Sequence, residues 1–337
     1  MIGIGMIGLG LISWFHENAY DQSGEIVKIK ATCDLDQERA TQRAARWGAT
    51  AYTDYRELLA DPTVDAVDIT VPHHLHVEIA RAALQAGKHV ILEKPLAPTS
   101  ADAEELIALA RASGVTLALA ENTRFEGAYL SVARLLEEGA LGDIRLVRTF
   151  IAGSEVERLS DTSSWKGRKS QTMGGAILDS GAHSFYLLRW LFGGVETVRA
   201  TAAQLVPVSE VEDHAIVSGR LVGGGLYTTE YTFTAEIPWT ERLEVYGSKG
   251  SVVVDQLANP TAIHYRGGTD VEGVTLDAHR DVALWKFNSV AAGVRDFAEA
   301  LAAGRPHGVD PADGAYALRV AERAYASVAA GGAELSM

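Results

Sequence analysis

Residues 174–193, GGAILDSGAHSFYLLRWLFG, place a carboxylate, Asp179, four residues before an imidazole, His183, where a Gly-rich turn gives way to an amphipathic stretch. On a helix, positions i and i+4 share a face, so the two side chains can meet each other and a common substrate. A carboxylate that fixes a histidine's ring and tautomer is a recurring arrangement for a general base. The same pair is also compatible with a core histidine beside a capping Asp, because paired groups are often structural. Lys94, directly after an apolar run and followed by Pro95, is a second residue whose position suits chemistry.

The elements that must position these residues start at the N-terminus. MIGIGMIGLGLISWFH holds two overlapping glycine patterns. Gly3-x-Gly5-x-x-Gly8 leaves only two residues for the strand that must precede it. Gly8-x-Gly10-x-x-Ser13 follows a strand-length run, Ile2 to Ile7, and is the register adopted. There Gly8, Gly10, Leu11 and Ile12 form a tight turn that lets the backbone approach a pyrophosphate at a helix N-terminus, and Ser13 stands where helix and strand pack. The next strand, Ile26 to Cys33, ends at Asp34. An acidic side chain there accepts from a ribose 2′-OH and repels a 2′-phosphate, so Asp34 argues for NAD over NADP, unless it only caps the helix Asp36 to Trp47.

Regular alternation follows: helix Tyr55 to Ala60, strand Ala66 to Val71, helix Leu75 to Ala86, strand Val90 to Glu93, helix Ala101 to Ala112 and strand Thr116 to Ala120. Short apolar strands alternating with helices predict a parallel sheet covered on both faces, with ligands beyond the carboxyl ends of its strands. Those ends carry Pro72 with His73, Glu93-Lys94-Pro95, and Glu121 with Asn122. No metal is expected at His73, His74 and His76, since no Cys or carboxylate completes a ligand set. After helix Tyr129 to Glu138 the chain turns to longer β-rich runs, among them Ile144 to Ala152, Val195 to Leu205 and Gly225 to Phe233. Several alternate polar with apolar, which predicts an antiparallel sheet with one open face, available to a partner subunit. The polar stretch 155–173 reads as a substrate-covering loop with Trp165, Lys166 and Arg168 as contacts. Helices Val290 to Ala303 and Pro311 to Ala329 close the chain.

With 337 residues, 47% hydrophobic and 22% charged, the chain suits two soluble domains. A net charge of −14 argues against a nucleic-acid partner. One cysteine excludes an internal disulfide, no apolar run is of membrane-span length, and no signal peptide is visible, so the expected location is cytoplasmic.

Together these residues make the chain resemble the glucose-fructose oxidoreductase and inositol dehydrogenase family (Gfo/Idh/MocA). The likeness rests on the glycine turn with His16 downstream, Pro72 with His76, Glu93-Lys94-Pro95, Asn122-x-Arg124-Phe125, and Gly174-Gly175 leading to Asp179-x-x-x-His183 and Trp190-Leu191-x-Gly193. It implies an α/β protein: an N-terminal Rossmann domain, 1–122, and a C-terminal α/β domain, 123–337, on a large, predominantly antiparallel, open-faced sheet. The last helix, about 311–329, can pack back on the first domain. It further implies cofactor contacts at Gly8, Gly10, Leu11, Ile12, Asp34, Pro72, His73, His76, Glu93, Lys94 and Asn122. Lys94, Asp179 and His183 become the catalytic residues, and Arg124, Trp165 and Arg168 join them as substrate contacts. Ser13, His73 and Tyr186 depart from the usual pattern, the last two near the expected substrate pocket.

The implied activity is oxidation of a secondary hydroxyl of a sugar, glycoside or cyclitol with NAD, by a homodimer or homotetramer joined through the open sheet. An alcohol gives up a hydride readily only as its proton leaves, which calls for a base and a donor to the developing alkoxide. One rival is a redox-neutral cleavage of glycosides through transient oxidation by bound NAD. Another is a non-catalytic NAD-responsive regulator, which has no chemical need for Lys94, Asp179 and His183 together.

Overall fold

A computed structural model describes the chain except at residues 257–258, 267–269 and 275–281, with side chains described outside 257–285. The chain forms two compact units, Met1–Asn122 with Phe287–Ala315, and Thr123–Lys286 with Tyr316–Met337. Among the described residues no helix is long and apolar enough to cross a membrane.

In the first unit, β1 (Ile2–Ile7), β2 (Val27–Cys33), β3 (Thr50–Tyr52), β4 (Ala66–Ile69), β5 (His89–Glu93) and β6 (Leu117–Ala120) form a wholly parallel sheet in the order β3-β2-β1-β4-β5-β6. Between the strands run α1 (Ser13–Gln22), α2 (Gln37–Trp47), α3 (Tyr55–Ala60), α4 (His76–Gln85) and α5 (Ser100–Ser113). The strands read as near-continuous apolar runs because both faces are covered: Ile4, Met6, Ile69 and Ile91 are wholly buried. Strand order reverses at β1, so the ends of β1 and β4 flank the crevice where such sheets bind ligands.

Residues 287–315, read from sequence with the second domain, cluster with the first unit. Val290, Val294, Phe297 and Ala298, at positions i, i+4, i+7 and i+8 of the helix Val282–Ala303, pack in one core with Ile4, Met6, Ile91 and Ala118. Helical spacing reveals an apolar stripe; it does not say which sheet the stripe covers. Of the helix Pro311–Ala329, only the part up to Ala315 belongs to this unit.

The second unit carries α6 (Gly127–Glu137), α7 (Val156–Ser160), α8 (Lys169–Thr172), α9 (Ala176–Asp179) and α10 (Gly181–Phe192). Its strands are β7 (Ile144–Ala152), β8 (Thr197–Ala203), β9 (His214–Arg220), β10 (Leu226–Thr232), β11 (Thr240–Gly247), β12 (Gly250–Asp255), β13 (Asn259–Arg266), β14 (Asp270–Val274) and β15 (Leu335–Ser336). They form a nine-stranded sheet, β14-β13-β12-β11-β7-β10-β9-β8-β15, antiparallel except where β7 and β10 run parallel. One face is buried: Val147, Thr149 and Ile151 alternate with the half-open Arg148 and Phe150. α10 lies on this buried face, with Phe185 edge-on to Tyr231 and Thr149 Oγ1 donating to Ser184 Oγ at 3.1 Å. The other face carries linked ion pairs of Arg148 with Glu230 (3.2 Å) and Glu244 (3.3 Å), beside exposed Ile216 and Leu226.

Candidate active site

Topology brings the chemistry-bearing residues of the first unit to the carboxyl edge of its sheet. β1 ends at Ile7, so Gly3 and Gly5 lie inside the strand and the turn begins at Gly8. Gly8 adopts φ +86°, and a Cβ there would lie 2.8 Å from Val71 Cγ1 and 2.9 Å from Thr70 O, so both conformation and space require glycine. Gly10 faces open space, and Leu11 beyond it is 76% exposed. α1 starts here with no side-chain cap, and its free N–H groups are the donors an anion at a helix N-terminus uses. Ser13 is buried with its hydroxyl 2.8 Å from Gly10 O and 3.2 Å from Glu17 Oε1, so the serine at the third motif position has its hydroxyl satisfied. These features fit a dinucleotide's pyrophosphate.

Asp34 follows β2. It accepts the N–H groups of Leu9 (2.8 Å) and Asp36 (2.9 Å), which fixes the carboxylate beside the glycine turn. Asp36, not Asp34, caps α2, accepting from Arg39 N–H at 3.1 Å. Sequence reasoning missed Arg39, whose guanidinium pairs with Asp34 at 3.3 Å. A two-turn reading of α2 could have found it, because Arg39 lies on the first turn, five residues past Asp34.

Lys94 leaves β5 half-buried, and its peptide bond to Pro95 is cis. Glu93 accepts the Lys94 N–H on Oε2 (3.0 Å) and faces His16 Nε2 with Oε1 (3.2 Å). His76, expected as a cofactor contact, is wholly buried, its Nδ1 2.8 Å from Pro95 O and its Nε2 3.0 Å from Val71 O. Enclosed between two carbonyls, it ties the end of β4 to the Pro95 turn. Burial pushes its pKa down against the pull of those carbonyls. His73 sits beside it, the rings 5.6 Å apart and edge to face. Asn122 donates to Ser289 Oγ (3.0 Å), a partner 167 positions away that no local pattern announces. Pro72 opens the short turn that carries His73.

In the second unit, the single helix implied by the Asp179/His183 spacing is two. Asp179 closes α9, Ser180 is a turn, and His183, buried, lies in the first turn of α10 with its N–H on Ser180 O (3.2 Å). Asp179 pairs with Lys166 Nζ at 2.5 Å, and the same ammonium stands 5.0 Å over the Trp165 ring. Arg124 stacks at 4.4 Å on Trp190, which lies seven residues after His183 on α10. Arg168 is exposed and donates to the backbone carbonyl of Thr162, so of the cations in this stretch it is Lys166 that reaches Asp179.

The Gly174–Gly175 turn is explained by residues that no pattern in the sequence singles out. A Cβ at Gly175 would stand 1.9 Å from Glu212 O, and one at Gly174 would stand 2.4 Å from the Tyr325 hydroxyl. Glu212 takes the N–H groups of Gly175 (3.2 Å) and Ile177 (3.1 Å) and the Tyr325 hydroxyl (2.7 Å). Two residues earlier, Glu210 accepts Lys169 N–H (2.9 Å) and its own N–H bonds Gly167 O (2.8 Å). One acidic stretch thus anchors both the segment bearing Lys166 and the turn leading to Asp179. Among the described residues, no group of three or more His, Cys, Asp or Glu is arranged to hold a metal ion.

The model of an oxidoreductase family with an NAD-binding Rossmann fold matches residues 2–121, and that of the GFO/IDH/MocA C-terminal domain matches 129–253. The chain belongs to the Gfo/Idh/MocA oxidoreductases. This oxidoreductase is 33% identical over 301 residues to the dTDP-3,4-didehydro-2,6-dideoxy-alpha-D-glucose 3-reductase of Streptomyces violaceoruber, covering 87% of this chain and 84% of that one. It is 28% identical over 323 residues to the myo-inositol 2-dehydrogenase of Thermotoga maritima, covering 94% and 92%. A levoglucosan dehydrogenase solved with NADH and levoglucosan superposes with a TM-score of 0.88 at 25% identity, covering 99% of both chains. The Gfo/Idh/MocA chain is therefore an NAD-binding oxidoreductase whose relatives act on sugars and cyclitols.

Proposed function

We propose that this oxidoreductase oxidises a secondary hydroxyl of a sugar, glycoside or cyclitol, with NAD preferred to NADP and with Lys94, Asp179 and His183 as its catalytic residues. The observation that carries the reading is the charged cluster at the α9–α10 junction, where Asp179 and Lys166 pair four positions before a buried histidine. NAD, when bound, accepts the carbon-bound hydrogen as hydride. The Gly8–Ile12 turn and the α1 N-terminus are suited to its pyrophosphate and Asp34 to its ribose. His183 takes the hydroxyl proton on a ring nitrogen, and Asp179 orients that ring. Lys94 donates to the oxygen as negative charge develops on it. Lys166, Trp165 and Arg124 supply a cationic and aromatic lining suited to a polyhydroxylated ring. The open face of the large sheet, with its ion pairs and exposed Ile216 and Leu226, is the surface proposed for a second copy of the chain.

The test is the appearance of NADH with purified protein, NAD and a panel of myo-inositol, levoglucosan, aldoses and glycosides, with NADP in parallel. A signal on one class of polyol supports the reading. Cleavage of a glycoside without NADH accumulation would replace it with the redox-neutral reaction. His183→Ala should lower turnover by roughly 10²- to 10⁴-fold with NADH binding kept; full activity in that variant removes His183 as the base.

A further inference from the structure

Two buried histidines bracket Lys94, and they differ. His76 holds Pro95 O through a ring enclosed by carbonyls. On the other side, His16 has 0% exposure and lies between two carboxylates: Nδ1 is 2.8 Å from Asp68 Oδ2 and Nε2 is 3.2 Å from Glu93 Oε1. Asp68 also takes the Tyr20 hydroxyl at 2.9 Å. An ionised carboxylate only accepts, so a ring facing one at each nitrogen must donate from both and is an imidazolium. Such a buried charged group is weak evidence of stabilisation by itself, since desolvation opposes its pairing. Here it links three elements: α1, which opens at the glycine turn, β4 through Asp68, and the end of β5 through Glu93, whose second oxygen holds the Lys94 N–H.

We infer that His16 is a positioning residue for Lys94, acting through Glu93. The inference rests on the reading of Lys94 as a catalytic residue. His16 fixes the Glu93 carboxylate, and Glu93 fixes the backbone from which the Lys94 side chain leaves. The same helix that offers its N-terminus to the dinucleotide therefore also sets the Lys94 turn.

The experiment compares Lys94→Ala, His16→Gln and Glu93→Gln, each as full-length protein. Steady-state kinetics use whichever of myo-inositol or levoglucosan the wild type oxidises, and sites are counted by fluorescence titration with NADH. His16→Gln and Glu93→Gln should each lower kcat per NADH-binding site by roughly 10- to 100-fold, the scale of a misplaced catalytic group. KM for the polyol should change little in both variants and NADH affinity little in His16→Gln, a split that mere loss of folded protein does not produce. Should His16→Gln fail to fold, Glu93→Gln, isosteric and partly exposed, carries the same test. Full activity in Lys94→Ala overturns the catalytic reading of that lysine. Loss of activity in Lys94→Ala with unchanged kcat per site in Glu93→Gln and in whatever His16→Gln folds overturns the role of His16 alone.

Discussion

Replacing Glu212 with alanine tests whether the acidic stretch before β9 builds the Asp179 turn. The substitution removes the acceptor for Gly175 and Ile177 N–H and for the Tyr325 hydroxyl, while the bond from Ala176 N–H to Glu212 O (2.9 Å) survives because it uses the backbone. Hydrogen bonds to a charged acceptor contribute about 1.5–3 kcal/mol each, but water reaches this half-buried site and recovers part of the loss, so about 3 kcal/mol in all is the expected cost. For a unit of this size that corresponds to roughly 6–12 °C in Tm. Glu212→Gln keeps one acceptor oxygen and should lose about 1 kcal/mol. Differential scanning calorimetry gives the stability, and turnover per NADH-binding site should fall in the same order, since the turn feeds directly into α9. If Glu212→Ala melted within about a degree of wild type with unchanged turnover, the turn would owe nothing to Glu212 and the account of Gly174–Gly175 would be wrong.

The His16 cluster makes stability depend on alkaline pH. Burial alone would lower the imidazole pKa, but the charges and hydrogen bonds of Asp68 and Glu93 outweigh it and raise the pKa from 6.5 to about 10. A histidine raised in the folded state contributes stability that is fully present below its unfolded pKa, near 6.5, and is lost as pH rises through about 10. Urea unfolding from pH 6 to 10 should therefore show a loss of a few kcal/mol that His16→Gln flattens; parallel curves for the two proteins would contradict the imidazolium. At the cofactor end, Asp34→Ala removes the carboxylate beside the turn and leaves Arg39 paired with Asp36 alone (3.3 Å), and an arginine there suits a 2′-phosphate. The ratio of kcat/KM for NAD over NADP should drop by at least about tenfold; an unchanged ratio would show that Asp34 does not set the preference.

Much of the first unit was legible because its rules are local. Apolar strands alternating with capped helices fix a parallel sheet, and the strand length before Gly8 chose between two glycine registers that composition alone leaves equal. The open-faced sheet of the second unit was likewise visible in alternation, as at Thr197, Arg199 and Thr201 against Val198, Ala200 and Ala202. The parallel pairing of β7 with β10 was not, because pairing partners are chosen by the path of the intervening chain. The strands β13, β14 and β15 also went unread, β15 being only two residues long.

The sequence by itself determined which residues can do chemistry and that they lie at strand ends and a helix start, since residue type, period and turn chemistry are properties of short segments. Only the tertiary structure decided their partners. It gave Lys166 to Asp179, Arg39 to Asp34, Ser289 to Asn122 and Glu212 to the glycine turn. It enclosed the His76 ring between two carbonyls, and it packed Val290, Val294, Phe297 and Ala298 into the core of the first sheet. Each of these depends on groups distant in the chain meeting in space, where burial and charge assign a role that spacing cannot.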